Sequence, residues 1–241
     1  MIPLNDDNRG RQSTAWVNYA LIAVNVLVFL YELALGNNGL NTFFARWGAT
    51  PAEITAGHAW YTLLTCMFLH GGWLHIGGNM LFLWVFGDNV EDVMGHVSYL
   101  IFYLLVGVLA SLSQIVIDPH STIVTIGASG AISGVLAAYM VLFPKGRIMS
   151  LIFLGIFITR VFLPAWIMIG YWIVLQIIAG IGSFGIGAAN AGGVAYFAHI
   201  GGFIAGLILV WVFRNKKRLD YQRAARAGAS SVGQWPRMSR G

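Results

Sequence analysis

YFAHIGGFIAGLILVWVFRNKKR, residues 196–218, runs 18 positions without an Asp, Glu, Lys or Arg and then places four cations in five positions from Arg214. A helix needs roughly 20 apolar residues to cross the hydrocarbon of a bilayer. The stretch therefore reads as a membrane span that stops where its basic flank begins. It also carries an imidazole, His199, at a depth where ionisable groups are costly.

Working outward, comparable apolar stretches fall at 16–35, 64–86, 97–117, 126–143 and 165–184. With 196–213 they make six expected spans. The segment 148–159 (IMSLIFLGIFIT) is apolar but only 12 residues long, and Arg160 and Pro164 close it. It reads as an interfacial or buried loop and not as a seventh span. Composition agrees with a lipid solvent. Apolar residues are 58% of 241 positions, charged residues 10%, and mean hydropathy is +0.73. A soluble domain is about a quarter charged, so a water-facing surface cannot be built from this supply. One cysteine, Cys66, excludes an internal disulfide framework. The first 15 residues are polar, with no apolar run and cleavage site of a signal peptide.

The charges that exist are unevenly placed. Of 14 Lys and Arg residues, eight follow Val212, and residues 97–143 contain none. A pI near 9.6 would point to nucleic acid in a soluble protein. Here most of the basic residues sit at the ends and in one loop, which orientation in a membrane explains better. Arg9 and Arg11 precede the first span, Lys145 and Arg147 follow the fourth, and the tail follows the sixth. Only Arg46 lies in a loop on the other side. An even span count with both termini cytosolic is expected. The expected organisation is a cytosolic segment 1–15, a membrane domain 16–214, and a basic, disordered cytosolic tail 215–241 that acts as a topology anchor. The fold class is an all-α polytopic membrane protein, a bundle of six transmembrane helices.

This topology makes a statement about depth. Spans 2, 4 and 6 run in the same direction. Ser129 lies 15 residues before Pro144, and His199 lies 15 before Arg214. At about 1.5 Å per residue, both sit about 22 Å above the inner interface, or about 8 Å below the outer one in a core of about 30 Å. His75 and Asn79 precede Asp88 by 13 and 9 residues, a comparable level.

Ser129 lies in GASGA (127–131), a glycine-rich turn opening a helix. The first N–H groups of a helix lack internal partners, and the macrodipole favours negative charge there. A serine so placed is suited to attack a carbonyl beside donors for the oxyanion. His199 is the candidate base. No Asp or Glu lies within spans 2 to 6, so the pattern is a Ser–His dyad and not a triad. His75 and Asn79, four apart on one helix face, can both donate to an oxyanion. Each residue also has a plain structural reading. Serines near helix starts are commonly N-caps, and a lone histidine in a span is commonly a packing residue. GASGA lacks the second glycine of the G-x-S-x-G elbow, because position 131 is Ala. Gly202 and Gly206 form a small-xxx-small face for helix contact, and such contact between spans 4 and 6 would bring His199 to Ser129.

MFLHGGWLHIGGNMLFLWVFGDNVED (67–92), GASGA (127–131) and AHIGGFIAG (198–206), in that order, resemble the rhomboid family of intramembrane serine proteases. The resemblance implies a six-helix bundle with a water-filled cavity open to the outside. It implies Ser129 as nucleophile, His199 as general base, and an oxyanion hole from His75, Asn79, Gly127 and the Ser129 N–H. His70 matches a further histidine of span 2, and Gly202 and Gly206 match the glycine face of span 6. Two positions depart from the family. Its Trp-Arg pair in the first outer loop is Tyr61-Thr62 here, and the aromatic residue four after the nucleophile, which stacks on the histidine, is Ser133. Support for the His199 ring must then come from elsewhere.

The expected activity is endopeptidase cleavage of transmembrane segments of other membrane proteins, with no metal and no cofactor. His70 and His75 are five apart, not the four of a helical zinc pair. The expected surroundings are the lipid bilayer of a prokaryotic inner membrane. A catalytically inactive relative that binds or escorts membrane proteins is the alternative, although such a protein is expected to have lost Ser129 or His199. A transporter would carry midplane charges or broken helices in paired halves, and neither pattern is present.

Overall fold

The computed structural model describes residues 1–154, 157–183 and 194–230. The last residue of the expected fifth span and the tail beyond Ser230 lie outside the described residues. The protein is an integral membrane protein, mostly helical. The six expected spans correspond to α1 (Trp16–Ala34), α5 (Trp73–Met94), α6 (His96–Ile117), α7 (Ser129–Leu142), α8 (Ala165–Ser183) and α9 (Tyr196–Phe213). Between the first two come α2 (Gly36–Trp47), α3 (Pro51–Thr55) and α4 (Thr62–Thr65). Among the described residues, four helices, α1, α6, α8 and α9, are by length and composition apolar enough to cross a membrane. α5 carries three acids near its end, and α7 has only 14 residues. α7 is short because its first residue is Ser129, inside the bundle, and most of its side chains are buried. It is the central helix, with little lipid to face.

α9 packs closely along α7. A Cβ on Gly202 would collide with the Gly130 carbonyl, and one on Gly206 would lie 2.5 Å from Gly134 Cα. α1 has no side-chain cap of its own. Glu91 of α5 supplies one, accepting the N–H of Val17 at 3.0 Å and of Asn18 at 2.7 Å. A carboxylate on free N–H groups at the positive end of a helix is favourable, and it fixes α1 against α5. Gly95, at φ 85°, lets α5 stop and α6 begin with a single residue between them.

Two regions differ from the sequence expectation. Of the segment 148–159, expected as a loop, the described residues lie in an antiparallel hairpin of β2 (Arg147–Leu154) and β3 (Phe157–Pro164). β1 (Ile2–Asn5) joins it, in the order β1-β2-β3. Ile148 and Ser150 are fully buried, whereas Phe153, Ile158 and Phe162 are exposed, so the sheet packs one face on the bundle. The tail expected to be disordered from residue 215 instead forms α10 (Lys216–Ser230). Partners on other elements order it. Arg223 donates to the Leu142 carbonyl at the end of α7, Arg218 to the Asp92 carbonyl and Arg226 to Asn89 Oδ1. The N-terminal segment docks on the same end of the bundle. Asp92 accepts the N–H groups of Gln12 and Ser13, and Arg11 pairs with Asp88.

Candidate active site

α7 and α9 each present one group to a common cavity of about 670 Å³. Ser129, the first residue of α7, and His199, in the first turn of α9, bring Oγ and Nε2 to 2.7 Å. Helix packing sets that distance, because the glycine contacts between α7 and α9 lie directly below it. His199 is 9% exposed, and Ser129 is half-buried on the cavity wall.

Opposite stand His75 and Asn79 of α5. His75 Nδ1 accepts the Gly71 N–H at 3.3 Å, which leaves the proton of a neutral ring on Nε2. Asn79 Nδ2 lies 3.0 Å from His70 Nε2. Both donors converge on Gly127, which has φ 120°. A Cβ there would meet His75 Nε2 at 2.6 Å and Asn79 Nδ2 at 3.7 Å. Glycine is thus required twice, by the backbone angle and by the space. The Gly127 N–H is bound by the Cys66 carbonyl at 2.8 Å, which pins the turn before the serine. The first N–H groups of α7, which begins at Ser129, have no partner within the helix. The arrangement offers a hydroxyl with a base on one side and a cluster of N–H donors on the other.

His70 is not at the cavity. It is 1% exposed and lies behind Asn79, with its ring 5.0 Å from that of His75. Its backbone N–H is held by the Glu32 carboxylate of α1, at 3.2 and 3.3 Å to the two oxygens. Ser133 is buried one turn below Ser129 and donates to the Ser129 carbonyl at 2.6 Å. Its hydroxyl is spent on the helix and not on the imidazole. The missing loop anchor also has a substitute, since Tyr61 donates its hydroxyl to the Arg46 carbonyl at 2.9 Å and packs its ring edge-on to Trp47.

Sequence reasoning missed the residues that hold the His199 ring. Gln176 Oε1 lies 2.8 Å from Nδ1, and the rings of Trp172 and Tyr196 lie 5.8 and 6.5 Å from the imidazole. Gln176 and Trp172 are four apart on α8 and face one way. A polar side chain in an apolar span was the available signal for Gln176. Glu32, in the first span, carried the same signal.

A sequence model of the Rhomboid domain matches residues 57–216. The chain is 27% identical over 209 residues to "Rhomboid-like protein 11, chloroplastic" of Arabidopsis thaliana, covering 86% of this chain and 68% of that protein. It is 33% identical over 189 residues to "Rhomboid protease GluP" of Bacillus subtilis, covering 78% of this chain and 33% of that one. For "Rhomboid protein 1, mitochondrial" of Saccharomyces cerevisiae the identity is 26% over 222 residues, covering 90% and 58%. The chain therefore spans only part of the bacterial and yeast relatives. The domain match covers both helices that meet at Ser129 and His199, together with the α5 residues opposite them, and on that ground the chain belongs to the rhomboid family.

Proposed function

We propose that the protein is an intramembrane serine endopeptidase that cleaves transmembrane segments of other membrane proteins. The observation that carries this reading is the 2.7 Å contact between Ser129 Oγ and His199 Nε2 in a cavity that also holds His75 and Asn79. His199 Nε2 takes the Ser129 proton as Oγ attacks the scissile carbonyl. The carbonyl oxygen, now an oxyanion, is received by the His75 Nε2–H, the Asn79 amide and the Ser129 N–H. His199 then gives its proton to the leaving amine. Water entering the cavity attacks the acyl-enzyme and gives a proton to His199, which passes it to Ser129 Oγ as the acyl–oxygen bond breaks, releasing the carboxylic acid and restoring the serine. A helical substrate has its carbonyls hidden in backbone bonds, so the segment must unwind near the cavity. Entry requires α8 or a neighbouring loop to move.

The charge distribution supports an orientation in which the end bearing α10 and the hairpin faces the cytosol, with the cavity toward the opposite side. A prokaryotic inner membrane is the proposed location; curated relatives of the chain include chloroplast and mitochondrial proteins.

The test is co-expression with a panel of single-span membrane proteins, together with fluorophosphonate labelling of the detergent-solubilised chain. Cleavage and labelling by the wild type, both lost in Ser129→Ala and His199→Ala, are the expected result. Well-folded wild type that neither labels nor cleaves would favour a binding or escort role.

A further inference from the structure

We propose that Gln176 is the positioning residue of the His199 imidazole, its side-chain oxygen holding Nδ1–H so that Nε2 is left free to accept the Ser129 proton. The proposal rests on the protease reading and deepens it, turning a serine–histidine pair into a chain of three groups drawn from α7, α9 and α8.

The first argument is where Gln176 stands. α8 reads AWIMIGYWIVLQIIAGIGS, and Gln176 is its one side-chain amide in a helix without charge. An amide inside a span is costly unless both its ends are used. Here they are. Nε2 donates to the Trp172 carbonyl one turn back at 3.5 Å, and Oε1 receives His199 Nδ1 at 2.8 Å. An amide that needed only its own helix would leave Oε1 without a donor.

The second argument is direction. A neutral imidazole has one N–H and one acceptor nitrogen. With the amide nitrogen turned to Trp172, the oxygen faces Nδ1, so the proton lies on Nδ1 and the lone pair on Nε2, toward Ser129. The reverse amide orientation would donate to Nδ1 and put the ring proton on Nε2, where it could not take the serine proton. A side-chain amide holds the histidine in the same way in Cys-His-Asn proteases.

The third argument is that no other described residue takes this place. Ser133 spends its hydroxyl on the Ser129 carbonyl. Trp172 and Tyr196 lie against the ring but contact its face and edge. Among the described residues, the titratable side chains near His199 are His75 of α5, across the cavity, and Tyr196 of its own helix; from α7 it meets Ser129, and from α8 Trp172 and Gln176. No carboxylate or cation lines the cavity among the described residues. A neutral oxygen orients the ring and steadies the imidazolium by its dipole, adding no net charge.

The experiment measures Ser129-dependent fluorophosphonate labelling rates of the detergent-solubilised full chain across pH. It compares wild type, Ser129→Ala, Gln176→Met and Gln176→Glu. Methionine keeps length and removes the acceptor, whereas glutamate restores an acceptor and adds charge. Positioning predicts that Gln176→Met labels on the order of 100-fold more slowly, and that Gln176→Glu recovers most of that loss. In Gln176→Glu the acid-side rise in rate moves to higher pH, because an adjacent anion favours the protonated imidazole. A packing role predicts the opposite order, methionine near wild type and a buried glutamate worse, and that order overturns the proposal. The unmutated chain offers a second readout, the His199 ring 15N shifts, expected to report Nδ1–H; Nε2–H overturns it. Folded wild type with no Ser129-dependent labelling removes the protease reading itself. Labelled wild type with the reversed order removes only Gln176.

Discussion

Gly127 holds the turn before Ser129 at φ 120°, and a Cβ there would lie 2.6 Å from His75 Nε2. Gly127→Ala is expected to displace His75 from the proposed oxyanion side and to slow labelling of Ser129 by about 100-fold, and the strained backbone angle is expected to lower the unfolding midpoint in detergent as well. Glu32 is the second residue with reach beyond its own helix. It is 2% exposed and accepts the His70 N–H, whose ring backs Asn79. Glu32→Leu leaves that N–H unpaired, at a cost of about 1–3 kcal/mol. A lower unfolding midpoint than the exposed control Glu53→Ala is the expected result. Sequence reasoning reached Ser129 and His199 because two independent distance counts, to Pro144 and to Arg214, set them at one level, and a helix is rigid enough for such counting. It did not reach Gln176, whose partner is 23 residues further along the chain on a different helix, so that no local pattern shows how the two faces meet. Glu32 was passed over because its partner is a backbone N–H, which no residue type reveals.

At the scale of elements, the contact between α7 and α9 sets the distance between hydroxyl and imidazole. Gly206 lies two turns below His199, where a Cβ would stand 2.5 Å from Gly134 Cα. Gly206→Leu is expected to wedge the helices apart, abolishing Ser129 labelling and lowering the unfolding temperature, while Gly228→Leu on α10, with open space around it, does neither. The small-xxx-small spacing made this packing legible, since it needs only a helix and its face. The hairpin was not legible. Its run of apolar residues has no alternation, because its exposed face carries Phe153, Ile158 and Phe162 as well. β1, its third strand, comes from residues 2–5, too far along the chain for a local pattern to show. α10 was read as disordered for a related reason. It has no apolar stripe, and its order comes from Arg218, Arg223 and Arg226 reaching carbonyls and amides of other helices.

Taken whole, the described residues gather many of their buried polar groups at two places, the cavity and the end where the N-terminal segment and α10 meet. Asp6 belongs to the second. It is buried, accepts from Asn89 at 2.7 Å and from the Tyr139 hydroxyl at 2.7 Å, and sits beside Asp88. Burial first, and then the Asp88 carboxylate, hold its acid well above the ordinary aspartate range, against the opposing pull of the Tyr139 bond and Arg226. A carboxyl whose value is raised by docking contributes fully below its ordinary range, and that contribution fades as pH climbs through the raised value. The segment 1–15 is therefore expected to loosen with rising pH. Proteolysis at Arg9 and Arg11 should quicken between about pH 5 and about pH 8, and Asp6→Asn should flatten the dependence.

The division of the cavity among α7, α8 and α9 has one more consequence. The hydroxyl and the imidazole stand on two helices locked by glycine contacts, but the amide against Nδ1 stands on a third, one of the two elements proposed to yield when a substrate enters. On the proposed function, an outward swing of α8 would take Gln176 with it, so the protease would be disarmed while ajar and cocked only once the helix had closed behind its guest. Stray chains brushing the open mouth would find a serine with an unsteadied base, a safety catch made from one glutamine.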